Sequence, residues 1–453
     1  MATAKDLRTA FPRSRQAELP PTDRDPVAIL DSQNATRLQE LVPVRFGRML
    51  QSPFAFYRGA AALMATDLAA GGSTNVPVVS CGDAHISNFG FFASPERTLL
   101  FDLNDFDEAG IAPWEWDVKR LVASIYIGAR ENSMSEDACY EAARTAAARY
   151  REVLGRMQGM TALERYYSRV DATMIESFAQ TSKQARKIRK VTAKARGRTS
   201  EQVLDKIGTV TEDGELLIVD DPPILQHTGH ASHDRLQRFI TSYTHTVRAD
   251  ISQLLQQYRV TDYALRVVGV GSVGTRCYIV ALQGPSGDPL FIQIKEAGPS
   301  VLVTYGGMPQ TIPGVIEAPD HTEGHRVVAG QRILQSQSDP FLGWIVGYDG
   351  AKGEHVRVDY YLRQFRDMKG SIDLSSLKPD GYRRMGEVCA ALLARAHSQS
   401  VGAAQASAYL GSSAKTDEAF ATWARGYADV NERDYKTLAQ AAKKGDIPAE
   451  FGV

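Results

Sequence analysis

The feature that most constrains the fold of this chain is the order of two sets of polar motifs. In the first set, Asp83 is followed five residues later by Asn88, and Asp105 comes soon after. Phosphoryl transfer uses such a set, because one carboxylate orients the attacking hydroxyl while an amide and a second carboxylate hold magnesium. The spacing therefore predicts Asp83 as a catalytic residue and Asn88 and Asp105 as metal ligands. Asp107 is predicted to be a further metal ligand or a loop cap, and a carboxylate-rich turn is the structural alternative for the set.

The second set, a glycine-rich segment and a lysine, lies far downstream, whereas in ordinary kinases it comes first. The glycine-rich segment contains Gly269, Gly271, Ser272 and Gly274 in the pattern G-x-G-x-x-G. A helix follows this pattern in dinucleotide-binding folds. Here the alternating, β-branched run from 275 to 282 predicts a strand instead. The segment is therefore predicted to be a hairpin lying over phosphates, with an ordinary glycine-rich turn as the alternative.

Lys295 completes this second set at the end of a predicted strand. In kinases a lysine at this place reaches the nucleotide phosphates and pairs with a glutamate of the next helix. Glu323 is the acidic residue near the start of the following predicted helix, and Gln331 is the alternative partner. Lys295, Glu323 and the glycine-rich segment are therefore the predicted nucleotide-binding residues.

The predicted elements indicate an α+β fold. Three strands, a helix and two strands between residues 265 and 364 form a compact unit. Residues 1–35 are rich in proline and charge and are expected to begin loosely ordered, and residues 232–258 are predicted to form one helix. The predicted organisation is a helical extension at 1–75, a large-lobe part with the catalytic and metal motifs at 76–260, a small β-rich nucleotide-binding lobe and hinge at 261–370, and helices completing the large lobe at 371–453.

Composition narrows the functional classes. The formal net charge of the 453 residues is -1, which gives no overall field for binding nucleic acid or a membrane surface. No apolar run approaches a membrane span, and the first residues lack the apolar region of a secretory signal. The four cysteines are scattered without a C-x-x-C pair, which fits a reducing, cytoplasmic setting.

Several other polar groups have less specific patterns. The histidines 227, 230 and 233 have the spacing of a metal cluster but fall in a predicted loop. The basic run 183–198 is typical of a solvated helix face, and Arg58 is a candidate anion contact. A two-metal phosphoesterase is a second hypothesis, with ligands drawn from Asp83, His85, Asp102, Asp105 and the histidine group. A nucleotide-binding pseudokinase that acts through partners is a third.

Two resemblances extend these predictions. Cys81-Gly-Asp-Ala-His-Ile-Ser-Asn88, Asn104-Asp-Phe-Asp-Glu-Ala and Trp114-Glu-Trp-Asp117 resemble the motifs of aminoglycoside and choline phosphotransferases. Most of residues 40–440 resembles an uncharacterised bacterial family, domain of unknown function 2252. That resemblance is carried by Phe56-Tyr-Arg-Gly, Gly82-Asp-Ala-His-Ile-Ser-Asn-Phe-Gly90, Asn104-Asp-Phe-Asp-Glu108, Lys295-Glu-Ala, Gly330-Gln-Arg and Arg363-Gln-Phe-Arg-Asp-Met-Lys369.

The phosphotransferase resemblance implies a two-lobed, protein-kinase-like fold that uses ATP and Mg²⁺ on a hydroxyl of a small-molecule acceptor. It implies that Asp83 is the catalytic base, although Cys81 stands where a histidine is usual. Because the motif order is reversed, we expect a circular permutation with new termini between the helix that ends near residue 398 and the Asp83 motif. Ser398 should then lie close to Val76, and Lys295 should face Asp105.

Overall fold

The fold combines helices with antiparallel sheets, which confirms the predicted α+β class. A computed structural model describes residues 2–177, 182–227, 233–267, 269–316, 321–349 and 356–452. Among the helices of these ranges, none combines the length and apolar character needed to cross a membrane.

The helices are, in chain order, α1 Ala4–Ala10, α2 Pro26–Asn34, α3 Val42–Met49, α4 Pro53–Gly59, α5 Ala61–Ala70, α6 Trp114–Glu131, α7 Glu136–Gln158, α8 Ala162–Tyr167, α9 Ala172–Ser177, α10 Ser182–Arg196, α11 Ser200–Ile207, α12 His233–Thr244, α13 Ala249–Leu255, α14 Val301–Thr304, α15 Glu323–Leu334, α16 Pro379–His397, α17 Ala403–Leu410 and α18 Lys415–Lys444. Short 3₁₀ turns occur at Arg13–Ala17, Gln39–Leu41, Ile86–Asn88 and Leu374–Ser376.

The strands are β1 Pro77–Ser80, β2 Phe89–Ala93, β3 Leu99–Leu103, β4 Gly110–Pro113, β5 Gly208–Val210, β6 Leu216–Ile218, β7 Leu225–Gln226, β8 Arg259–Arg266, β9 Cys277–Gln283, β10 Pro289–Glu296, β11 Gly343–Asp349 and β12 Val356–Gln364. The largest sheet is antiparallel in the order β11-β12-β10-β9-β8-β7. Small sheets pair β1 with β4, β2 with β3, and β5 with β6.

The glycine-rich segment joins two antiparallel strands, as predicted. Strand β8 pairs with β9 on either side of it, and β10 continues the sheet beside β9. Gly269 and Gly274 have φ values of +69° and +88°, which non-glycine residues rarely adopt. The alternating sequence after residue 275 thus forms a strand, and no dinucleotide-type helix follows the segment.

Helix α6 is the centre of the helical part. Its residues are buried from Trp114 to Ala129, and α7, α16 and α18 pack around it. The indole ring of Trp114 stacks on the ring of Tyr150 with 5.9 Å between centroids. Acidic residues in the first turn of α6 favour the positive end of its dipole. This packing places the start of α6 beneath the loop that contains Asp83.

Residues 2–35 contain helices α1 and α2 and pack on the rest of the fold, so the expectation of loose order was wrong. Phe11 and Leu30 are buried in the helical core. Arg24 also contacts two carboxylates, those of Asp67 and Asp434, each at 2.7 Å. Apolar anchors and a nearly buried ion pair therefore offset the proline and charge content that favoured disorder.

The predicted helix at 232–258 is also divided in two. Helix α12 ends at Thr244 and α13 begins at Ala249. Between them, the hydroxyl of Thr246 donates to the carbonyl oxygens of Tyr243 and Trp344, both at 2.9 Å. This contact with β11 fixes a turn that the local sequence does not specify.

The end of α16 lies beside the start of β1. The amide of Val79 donates to the hydroxyl oxygen of Ser400 at 2.9 Å. A Cβ added to Gly402 would stand 3.4 Å from the side chain of Val76. The segment that follows Ser398 is therefore adjacent to the segment that leads into Asp83, although they are far apart in sequence.

Candidate active site

Three loops, of which two are neighbours in sequence and the third is distant, meet in one cleft between the large sheet and the helical part. We call them the Asp83 loop (residues 81–88), the acidic loop (104–109) and the glycine loop (269–274). Together they line a cavity of about 190 Å³ that contains Asp83, His85, Asn88, Asp105, Asp107, Glu108, Gly269, Gly271 and Ser272. An adjoining cavity of about 420 Å³ shares Asn88, Asp105, Gly269 and Ser272 and adds Lys295. Most of the predicted site residues are therefore brought together.

The Asp83 loop is held by the carboxylate of Asp117 on α6. The amides of Cys81 and Gly82 donate to its two oxygens at 2.6 and 3.0 Å. The imidazole Nε2 of His397 lies 3.1 Å from the same carboxylate, and its Nδ1 lies 2.7 Å from the hydroxyl of Tyr150. Asp117 thus braces the Asp83 loop, and the buried Cys81 leaves that brace intact.

Asp83 is oriented by an arginine that the sequence reasoning did not identify. The guanidinium of Arg120 on α6 donates to Asp83 Oδ1 at 2.8 Å and to the carbonyl of Tyr57 at 2.8 Å. This contact fixes Oδ1, while Oδ2 lies 3.8 Å from His85 Nε2. Burial, with the neighbouring cations Arg58 and Arg120, holds the pKa of His85 well below its usual range, so its imidazole is neutral.

Asn88 and Asp105 present free oxygens to the cleft. The amide nitrogen of Asn88 donates to the carbonyl of Asp83 at 2.5 Å, which leaves its amide oxygen for a ligand. Asp105 Oδ1 is buried and has no hydrogen-bond partner among the described residues. Burial and the nearby carboxylate of Asp107 raise the pKa of Asp105. A carboxylate oxygen left unpaired at this depth is costly unless a cation binds it.

Asp107 is the direct partner of Lys295. The ammonium group contacts Asp107 Oδ2, and the hydroxyl of Tyr361 donates to Oδ1 at 2.7 Å. Burial opposes the charge of Asp107, but Lys295 and these hydrogen bonds hold its pKa below the usual range. Lys295 therefore faces the second aspartate of the acidic loop, whereas the sequence reasoning expected it to face Asp105.

The donor set fits a hard divalent cation at Asn88 and Asp105. Both side chains offer oxygen atoms, which magnesium prefers, and one of them is an orphaned buried carboxylate oxygen. Within the described ranges, no group of three or more His, Cys, Asp and Glu residues is arranged to hold a metal. A cation at this place would therefore take most of its ligands from water or substrate. Asp107 is already occupied by Lys295.

The glycine loop is fastened from outside by the N-terminal helices. The amide of Leu38 donates to the carbonyl of Gly274 at 2.8 Å, and Arg48 on α3 donates to the carbonyl of Gly269 at 2.6 Å. Arg37 donates to the carbonyl of Val273. Helix α3 is in turn contacted near residue 450, because the amide of Glu450 donates to the carbonyl of Pro43 at 2.9 Å.

Glu323 has a different role from the one predicted. Its carboxylate binds Arg326 Nε at 2.6 Å and lies 3.1 Å from His321 Nε2. Arg326 then donates to backbone carbonyls of the acidic loop, at 2.9 Å for Asp107. Glu323 does not line either cavity, so it positions Arg326 and is not the partner of Lys295. Gly274 likewise lies outside the lining and packs on Arg37.

Two further residues line the cleft, Arg58, which was a candidate anion contact, and Glu108, which the sequence pattern left unassigned. Arg58 lines both cavities, and its Nε is buried without a hydrogen-bond partner in the described chain. Glu108 lines the smaller cavity, and burial raises its pKa to about 7 although the amide of Val301 donates to it at 2.6 Å. The position of Glu108 directly after the two aspartates was the available signal for it.

The ligands of the two-metal hypothesis are dispersed. Asp102 points away from the cleft, where its carboxylate accepts from the amide of Ser336 at 2.9 Å. His227 lies at the edge of the large sheet between Asp220 and Asp262, at 2.8 and 3.0 Å. Residue 230 and the side chain at 233 lie outside the described part of the chain. The described donors of that hypothesis do not form one site.

Comparison with known proteins identifies a family whose description names no reaction. The sequence model described as "uncharacterized protein conserved in bacteria (DUF2252)" matches residues 37–441, which span all three loops of the cleft. No curated protein and no solved structure matches the chain. The chain belongs to the bacterial family of domain of unknown function 2252.

Proposed function

We propose that this protein is an ATP- and magnesium-dependent phosphotransferase that acts on a hydroxyl group of a small-molecule acceptor. One observation carries the proposal: Asp83, Asn88 and Asp105 meet the glycine loop and Lys295 around two adjoining cavities. A carboxylate, two oxygen ligands, a glycine hairpin and a buried lysine are the parts that phosphoryl transfer needs. The chain assembles them from segments that are widely separated in sequence.

The proposed step is an in-line displacement. The acceptor oxygen attacks the γ-phosphorus of ATP, and the bond from that phosphorus to the β–γ bridging oxygen breaks. ADP leaves with the electron pair, and the hydroxyl proton passes to Asp83 and then to solvent. Asp83 orients the acceptor, because it lines the cavity and Arg120 contacts one of its oxygens while leaving the other free of that contact. Such positioning supplies much of the rate in this chemistry.

Asn88 and Asp105 are the residues that would hold magnesium, which would neutralise charge on the phosphate oxygens. Lys295 is kept ionised, because Asp107 and Tyr361 raise its pKa although burial opposes the charge. Its ammonium group is therefore available as a fixed positive charge at the cleft. The positive φ of Gly269, which lines both cavities, lets the loop backbone approach a phosphate without a Cβ between them.

The arrangement supports a circularly permuted, protein-kinase-like fold. Residues 259–364 form the antiparallel sheet with helix α15, and the segment after β12 leads into the helical part. Helix α16 ends beside β1, where Val79 contacts Ser400. A chain joined there would run from the sheet through α16 into the Asp83 loop, which is the motif order of ordinary kinases.

The first test is binding of ATP. We expect ATP with magnesium to raise the melting temperature of the wild type by several degrees, since a ligand at about a hundredfold above Kd adds roughly 2.7 kcal/mol. Lys295→Ala should remove the shift. Lys436→Ala is the matched control, because that lysine is exposed on α18 and pairs only with Glu432 among the described residues. An unshifted wild type at millimolar ATP would refute the nucleotide site.

The second test separates catalysis from binding. Magnesium-dependent release of ADP is measured with pools of hydroxyl-bearing metabolites for the wild type and Asp83→Asn. We expect turnover to be lost in the variant while the thermal shift with ATP persists. ATP binding without turnover in the wild type would favour the pseudokinase hypothesis. Stabilisation by manganese alone, with none by ATP, would favour the phosphoesterase.

A further inference from the structure

The larger of the two cavities carries an excess of positive charge. Besides Lys295 and Arg58, its lining includes Arg198, Arg266, Arg363, Arg366 and Lys369. These five cations come from the segment before α11, the end of β8, the end of β12 and the segment that follows it. We call this space the cationic cavity. The three carboxylates of its lining are Asp105, Asp339 and Asp367.

Two of those carboxylates are bound to groups other than the five cations. Asp339 accepts from the amides of Phe341 and Gln364 at 2.8 and 2.6 Å, and Asp367 accepts from Arg97 at 2.6 Å. The third, Asp105, is the oxygen donor assigned above to the metal. The cationic residues of the lining also outnumber these three carboxylates, so the carboxylates do not neutralise the positive charge of the cavity.

The cations are also packed closely enough to repel one another. Arg266 and Arg366 both lie over the ring of Phe365, at 4.7 and 5.3 Å from its centroid. Arg266 Nε is buried and lacks a hydrogen-bond partner among the described residues. Burial, with Arg366 adding to it, lowers the pKa of Arg266 to about 10. The neighbouring guanidinium of Arg363 lowers the pKa of Lys369 to about 7. An anion bound among these groups would relieve the repulsion.

The polar and charged groups of the lining favour a phosphorylated ligand over an apolar one. Gln293 on β10 is buried in the wall and accepts from Arg363 Nε at 2.9 Å, so a polar pair occupies the wall. Arginine forks match the tetrahedral oxygens of phosphate, which can take several charged hydrogen bonds at once. The cavity also shares Asn88 and Asp105 with the smaller one, so a ligand here would lie next to the transfer site.

We propose that the cationic cavity binds the phosphate groups of a phosphorylated small molecule. The proposal of a phosphate-binding site depends only on the cations that line the cavity. Its relation to the reacting groups rests on the proposed function. The phosphates have two sources, the nucleotide itself or a phosphorylated acceptor. Either source makes this protein selective for substrates with several negative charges.

The test uses inorganic pyrophosphate without magnesium or nucleotide, titrated calorimetrically into the whole protein. We expect binding that weakens as salt is raised, and about tenfold or greater loss of affinity in Arg266→Gln/Arg366→Gln. Arg248→Gln is the matched control, since that arginine is exposed and pairs with Asp250. Lys369→Gln is a second variant on an exposed side chain and covers the case in which the double variant does not fold.

The outcomes separate the two proposals. Absence of pyrophosphate binding by the wild type, or equal affinity in all variants, would overturn the cationic site whatever ATP does. If the double variant loses both pyrophosphate and ATP, the phosphates bound here are those of the nucleotide. If it loses pyrophosphate and keeps the thermal shift with ATP, the site takes the phosphates of a second substrate. If pyrophosphate binds but ATP does not shift the melting temperature, the proposal of a cationic phosphate site stands, and only the proposed phosphotransferase function is refuted.

Discussion

The ammonium group of Lys295 pairs with the carboxylate of Asp107 across 188 residues of sequence. This contact joins the large sheet to the acidic loop, and Tyr361 completes it from β12. Lys295 is 4% exposed at its side chain and Asp107 is 24% exposed, so the pair is largely shielded from water. The contact therefore fixes the geometry of the cleft and also contributes to the stability of the fold.

Asp107→Asn should destabilise the protein, because it leaves the charge of Lys295 without its partner. We expect a loss of about 3 kcal/mol in the free energy of unfolding, measured by urea denaturation. Asp107→Asn/Lys295→Met should recover part of that loss. The control Asp429→Asn removes an exposed partner of Arg130 and should cost under about 1 kcal/mol. Equal losses for the two single variants would show that the Lys295 pair is energetically a surface pair.

Arg120→Lys should lower turnover more than nucleotide binding. A lysine cannot hold Asp83 Oδ1 and the Tyr57 carbonyl together, so the carboxylate loses its fixed orientation. We expect kcat to fall roughly 100-fold with little change in the Kd for ATP. Arg130→Lys on the same helix is the control, since its partners are Glu136 and Asp429 on the surface. Equal losses in both variants would point to a general defect of α6.

Arg58→Ala should impair turnover while the fold keeps its stability. The Arg58 side chain lines both cavities and donates no hydrogen bond to the described protein, so its removal breaks no contact of that kind. If it stabilises charge that develops on the transferred phosphate, kcat should fall roughly 10²–10³-fold. The unfolding free energy should change by under about 0.5 kcal/mol. Arg15→Ala on the surface is the control for charge alone.

Glu108 should make stability depend on pH. Burial raises its pKa from 4.5 to about 7, so the folded protein holds a proton that the unfolded chain releases above pH 4.5. The stabilisation from that proton is present below about pH 4.5 and declines as pH rises towards 7. The urea midpoint of the wild type should therefore fall relative to that of Glu108→Gln between these values. A constant difference between the two proteins would contradict the raised pKa.

The periodicity of apolar residues predicted those helices and strands whose formation depends mainly on residues close in sequence. The strands around the glycine loop, helix α15 and helix α16, which ends near residue 398, were predicted because their periodicity is strong. The N-terminal 35 residues were misjudged, because their order depends on Phe11, Leu30 and Arg24 finding distant partners. The break between α12 and α13 has the same origin, since Thr246 is held by a strand about a hundred residues away.

The candidate site divides in the same way. Asp83, Asn88 and Asp105 were identified from their spacing, and the structure gathers them in one cleft. The ionic partners in the site were not identified, because no recognisable sequence spacing links Arg120 to Asp83 or Lys295 to Asp107. Glu323 lies at the expected position in the sequence, but its carboxylate is paired with Arg326, one helical turn further along α15. Pairings between buried charges depend on the packed geometry, which a single sequence does not encode locally.

The support of the glycine loop has a consequence for the order of folding. Arg48 on α3 holds Gly269, while Glu450 is seated on the same helix through Pro43. A Cβ on Gly47 would stand 1.6 Å from the carbonyl oxygen of Glu450, so the two segments fit only because a glycine is present. During synthesis the strands of the glycine loop leave the ribosome long before Glu450 does. The contact between Glu450 and α3 therefore completes the support behind the glycine loop only after the rest of the cleft has been synthesised.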